Sequence, residues 1–153
     1  MDDVADDKWT TAELLRRVDA GKRWLDERLA EFPAEDDFDE PVGGGGWTRR
    51  QMVHHLTVWH GLTVDRLRSY QQTGQRAAPI DSDAINADAM TSAAGKTRAD
   101  LLVDLDSSFQ TLRAEVAKLR DEQLPEHDFW PGGVVVGNTF GHYEEHRADL
   151  ERT

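Results

Sequence analysis

Three histidines, His55, His142 and His146, have the residue type and spacing to do chemistry together. His142 and His146 stand four apart, so on a helix they share a face and both rings can point at one ion. Alone, such a pair is a weak signal, because two partly buried or surface imidazoles have the same spacing. His55 strengthens it. On a helical wheel it lies beside Met52, Leu56 and Trp59, at the inner edge of an apolar stripe. Helix bundles build metal sites from side chains on facing helices. Three neutral imidazoles suit zinc, nickel or iron(II), and three protein ligands leave a position open for water or substrate. An open position marks a catalytic site rather than a closed structural one. Spacing leaves open whether the two helices are neighbours.

The remaining histidines have weaker claims. His54 points about 100° away from His55 on the wheel. His60 shares the flank of His54, and reads as a surface residue or a support behind the ligands. His127 stands in a loop stretch beside Pro125 and Glu126. Glu144 and Glu145 lie between the paired histidines, and Asp149 is three beyond His146. This is not the zincin motif, in which a glutamate directly follows the first histidine; Tyr143 holds that place and reads as core. No general base is assigned. The Gly43–Gly46 run lacks the lysine and the serine or threonine of a phosphate loop, and the serines lack a nucleophile-elbow context.

The elements that must position these residues read as helices. Thr48 and Gln51 have capping-box spacing, with Trp47 and Met52 as a hydrophobic staple, so a helix runs from Thr48 toward Gln72 and stops at Gly74. Trp9, Thr10, Glu13 and Leu14 repeat the signature and start a first helix at Thr10 or Thr11, closed by Pro33. Residues 33–46 read as a loop, rich in proline, acid and glycine. A short helix is expected near Asp83 to Met90, then a break over Ser92 to Lys96. Thr97 and Asp100 cap a long amphipathic helix carrying Leu101 through Leu119. Pro125 to Gly133 reads as turn-rich, and a last helix runs from about Val134 to Leu150; its three valines are too few for a credible sheet. Four longer helices and one short extra one make an all-α, antiparallel four-helix bundle over a single domain, residues 1–153.

Composition narrows the partners. A net charge of −12 on 153 residues disfavours phosphate backbones and anionic lipid, so neither nucleic acid nor membrane is expected. With no cysteine, thiolate zinc sites and cysteine nucleophiles are excluded. No apolar run reaches the roughly 18 residues of a membrane span, and the opening MDDVADDKW is acidic where a secretory signal is basic, so the cytoplasm is the expected location. Arg49 and Arg50, in the first turn of the second helix, are placed to form an electropositive pocket for a small anion.

The stretches WTRRQMVHHLTVWH and GNTFGHYEEHRADL together resemble the DinB/YfiT-like superfamily of metal-dependent four-helix bundles, and within it the ClbS/DfsB-like branch. The resemblance covers about Leu14 to Leu150. It implies that a histidine of the second helix and two of the last bind a divalent metal; these fall on His55, the one directly before leucine, His142 and His146. The family's Asp/Asn segment before its short third helix corresponds to IDSDAIN, Ile80 to Asn86. The glycine run before Trp47 departs from the pattern. Relatives of this kind include transferases and isomerases that use a low-molecular-weight thiol such as mycothiol or bacillithiol, and ClbS-like proteins tied to hydrolysis of a reactive cyclopropane.

Two functions follow as expectations. One is a metal-dependent enzyme acting on a small electrophile, as thiol transferase or hydrolase, with Arg49 or Arg50 holding a carboxylate. The other is a non-catalytic protein that binds or sequesters a small molecule in the same cavity. A bundle that forms a homodimer is the blander third.

Overall fold

The computed structural model describes residues 9–43 and 46–151. Among them are seven α-helices: α1 Thr11–Leu29, α2 Arg49–Thr73, α3 Ser82–Ser92, α4 Arg98–Ala117, α5 Glu126–Asn138, α6 Phe140–Glu145 and α7 Arg147–Leu150. A two-residue ladder, β1 Pro41–Val42 against β2 Trp47–Thr48, pairs antiparallel with Val42 opposite Trp47. The acidic opening and Gly44 and Gly45 of the glycine run lie outside the described residues. No described helix is long and apolar enough to cross a membrane.

Local signals start the legs of the bundle where side chains can satisfy free backbone donors. Thr48 accepts from Gln51 N at 3.2 Å while Gln51 Oε1 accepts from Thr48 N at 2.9 Å, a reciprocal box. Thr97 and Asp100 form the same box for α4. Gly74 stops α2 in the left-handed region at φ 70°, which only glycine adopts without strain. Thr10 caps α1 alone, because the Glu13 carboxylate turns to Arg16 and Arg17.

The expectation of one short helix added to four is corrected at the C-terminal leg. Val134 to Leu150 is three pieces, interrupted at Thr139 (φ −125°, ψ −116°) and His146 (φ −98°, ψ 18°). Gly137 and Asn138 are poor helix formers. The Thr139 hydroxyl also donates to Val135 O at 2.7 Å, competing for a carbonyl of the last turn of α5. The Pro125–Gly133 stretch is not a free turn either. It enters α5 through His127, Asp128 and Phe129, all at positive φ. The extra helix is longer than expected, Ser82–Ser92.

The core divides in two. At one end Leu14, Val18, Leu67, Phe109, Leu112 and Val135 pack together; at the other, Leu25, Met52, Leu56, Leu101, Leu105 and Tyr143. Helices α1 and α6 meet at Gly21, where an added Cβ would lie 2.7 Å from Phe140 Cβ and 3.1 Å from its Cα. The Cα cannot swing aside. Gly21→Ala should therefore lose about 1–2 kcal/mol by urea denaturation, overpacking exceeding the gain in helix propensity; unchanged stability would mean that the helices part freely.

The acidic loop is strapped down by arginines. Glu35–Asp39 forms a 3-10 turn with Phe38 buried. Arg49 donates to Asp37 O and to Glu40 at 2.9 Å, and its guanidinium stacks on Phe32 at 3.5 Å. Arg50 meets Asp39 and Lys96 O, and Arg98 donates to Phe32 O at 2.9 Å. The expected anion pocket at Arg49 and Arg50 is thus corrected. Both are engaged with the chain's own acids and carbonyls: the DDFDE run supplies Asp37, Asp39 and Glu40, and Lys96 O comes from the turn before α4.

Candidate metal centre

Helix α2 runs through the middle of the bundle, and Met52 through Leu56 are buried without a break. It therefore delivers His55 inward, 4 % exposed. His142 comes from α6, 7 % exposed, and His146 from the junction between α6 and α7. His55 Nε2 and His142 Nε2 are 3.0 Å apart. The three ring centroids are separated by 4.9, 5.3 and 4.9 Å, and one nitrogen from each ring lies within 4.8 Å of the others. The structure thus brings together the three histidines singled out by type and spacing. Tetrahedral zinc, with bonds of about 2.0–2.1 Å, spaces its nitrogens by about 3.3 Å, close to the His55–His142 separation.

Burial sets the protonation. Desolvation, reinforced by His146, holds His55 down at about 4. It holds His142 at about 3, with His55, His146 and His60 adding to the effect. Both rings are therefore neutral at physiological pH and present lone pairs, as metal ligands must. A divalent transition ion fits this donor set.

Metal-bound imidazoles usually have the far nitrogen held by an acceptor. Here only one does. His146 Nδ1 donates to Asp149 Oδ2 at 3.1 Å, which leaves its Nε2 free for the centre. The Nδ1 atoms of His55 and His142 are buried and have no hydrogen-bond partner among the described residues. Trp47 packs on His55 at 4.8 Å and on His146 at 6.3 Å, and Trp59 stands 6.3 Å from His55. The Trp59 indole N–H donates to Asn86 Oδ1 at 2.9 Å, tying α3 to this wall. The expected IDSDAIN segment thus reaches the site through its last residue.

The other histidines fall elsewhere. Of the two positions expected for His60, the surface one is corrected: the residue is fully buried and pushed down to about 3 by desolvation. Its flank of α2 is covered too, so the helical wheel could not place it outside. Ser108 Oγ donates to Leu105 O at 3.0 Å, and so accepts from His60 Nδ1 at 2.9 Å. His60 Nε2 then accepts from Tyr143 Oη at 2.6 Å. This chain joins α2, α4 and α6 and locks Tyr143 between the two histidines of its own segment. Tyr143 is core, as its sequence position indicated, but core with a buried hydroxyl partner. His54 bonds Ser92 Oγ at 2.8 Å and His127 meets Gly74 O at 2.7 Å, both away from the cluster. Asp149 has no signal in the sequence beyond its spacing from His146.

A family model described as the DinB superfamily matches residues 17–149. No curated protein and no solved structure matches the chain.

Proposed function

Since the chain belongs to the DinB superfamily, we propose that it is a divalent-metal-dependent enzyme acting on a small electrophilic molecule, with His55, His142 and His146 as the protein ligands. The observation that carries this reading is the convergence of three imidazoles on one point, two of them, His55 and His142, buried and held neutral by desolvation. When bound, the ion supplies Lewis acidity to a water or thiol nucleophile at the position the protein leaves open.

The chain's own residues do the rest. The fold gathers the three donor nitrogens within 4.8 Å of one another before any ion arrives. Asp149 keeps His146 in the tautomer with a free Nε2. Trp47 and Trp59 wall the site with apolar surface, which strengthens electrostatic interactions inside it by keeping water out. A low-molecular-weight thiol such as mycothiol is the proposed co-substrate of a transferase, and hydrolysis is the thiol-free variant of the same chemistry. The ClbS/DfsB-like likeness supports a reactive, strained or electrophilic substrate.

The test is consumption of a panel of small electrophiles by protein loaded with zinc, nickel or iron(II), with and without added thiol. The expected result is turnover that disappears on chelation and returns with the ion. Stoichiometric binding without turnover, unchanged by chelation, would instead make this a sequestering protein.

A further inference from the structure

We propose that Gly43 is a positioning residue of the candidate metal centre. Lacking a side chain, it lets the β1–β2 hairpin close on the Asp149 carboxylate, which in turn orients His146. The inference rests on the metal reading given above and concerns how that site is held.

The contact is unusually close. A Cβ built on Gly43 would lie 1.7 Å from Asp149 Oδ1 and 2.8 Å from its Cγ. The end of an aspartate side chain normally yields to such a collision. Here the other oxygen of the same carboxylate accepts from His146 Nδ1 at 3.1 Å. Yielding therefore means leaving the imidazole. Gly43 and Asp149 also border a polar cavity of about 300 Å³ with Glu40, Arg49 and Glu151, so a displaced carboxylate has somewhere to go. The expected result of a larger residue is a misaimed His146 in a folded protein.

The same hairpin reaches the site a second time. Val42, beside Gly43, pairs with Trp47 across the ladder, and Trp47 packs on the rings of His55 and His146. One two-residue ladder thus presses on two of the three imidazoles, directly through Trp47 and through Asp149 by way of Gly43. The glycine that departs from the family pattern in the sequence gains a specific role.

The hairpin contains its own control. Gly43 and Gly46 both have positive φ, 57° and 79°, so alanine at either strains the backbone. Among the described residues nothing lies within 4 Å of a Cβ on Gly46. Gly46→Ala therefore carries the strain without the collision.

Zinc affinity is measured by competition with a chromogenic chelator for the native protein, Gly43→Ala, Gly46→Ala, Asp149→Ala and the Gly43→Ala/Asp149→Ala double variant. Gly43→Ala should lose about ten- to a hundredfold, the usual effect of disturbing a ligand's outer partner. Gly46→Ala should lose nothing, and the double variant should bind no worse than Asp149→Ala. Equal losses in the two glycine variants, or independent losses at Gly43 and Asp149, would overturn the proposal. A Gly43→Ala protein that fails to fold supports it if the double variant folds, and overturns it if neither does.

A second readout needs no ion. In metal-free protein, long-range ¹H–¹⁵N spectra should show His146 protonated at Nδ1 in the native chain and in Gly46→Ala, and a shift toward Nε2 protonation in Gly43→Ala. No shift would reject the role of Gly43. A native protein that binds no zinc would sink the metal reading instead, and these spectra would still decide the role of Gly43.

Discussion

Tag-free protein purified near neutral pH without chelator should carry close to one equivalent of zinc, nickel or iron, and His142→Ala should carry almost none. His142 is the proposed ligand to remove first because its Nε2 lies only 3.0 Å from that of His55, so its loss opens the tightest part of the cluster. Disturbing an outer partner alone costs 10–100-fold in affinity, so deleting a ligand should cost more than about a hundredfold. Elemental analysis gives the stoichiometry, and thermal unfolding gives the energetics. At a free ion concentration about a thousand times Kd, binding adds about 4 kcal/mol to stability, which for a domain of this size raises Tm by about 10 °C. The His142→Ala variant should show no such rise. Ion-free native protein that takes up none of the three metals when they are added at micromolar levels would remove the basis for metal chemistry and leave small-molecule binding as the better account.

The second large effect is on pH. His55, His60 and His142 are held at about 4, 3 and 3, mainly by burial, whereas each returns to about 6.5 when the chain unfolds. Between those values the unfolded chain binds protons that the folded one refuses. Stability therefore falls as pH drops below about 6.5, and the loss continues until the folded values are reached. Each imidazole contributes about 1.4 kcal/mol per pH unit in that window. For three, the loss between pH 8 and pH 5 is on the order of 5 kcal/mol, comparable with the whole stability of many domains. Chelated protein should unfold in mild acid, with urea midpoints falling steeply from pH 6.5 to 5. A flat profile across that range would show that the three rings are not neutral in the fold.

These imidazoles also mark what was legible in the chain. The starts of α2 and α4 and the stop of α2 could be read because a cap is local: Thr48 with Gln51, Thr97 with Asp100, and Gly74 each satisfy backbone groups within a few residues. The grouping of His55 with His142 and His146 was readable for a related reason, since the four-residue spacing of the last two is local and His55 borders the apolar stripe of α2. His60 was not. Its burial depends on how many neighbours α2 has, and periodicity describes one face at a time. The breaks at Thr139 and His146 were hidden as well, because Phe140, Tyr143 and Leu150 keep a helical rhythm across them. Arg49 and Arg50 looked like free cations because their partners, Glu40 and Asp39, stand in a segment with no regular pattern of its own.

The breaks have a consequence for which ions the proposed centre would accept. His55 is fixed to an uninterrupted 25-residue helix. His142 rides on a six-residue one, and His146 sits at a joint with non-helical dihedrals. One donor is rigid while the other two hang on short, separately jointed pieces. Small rotations at the joint would let the proposed cage contract or expand, so little radius discrimination is expected of it. Preference among first-row ions should then follow their intrinsic order of affinity for nitrogen donors, with copper and zinc ahead of iron and manganese. The supply of each ion in the compartment, more than any squeeze from the protein, would decide which one is carried.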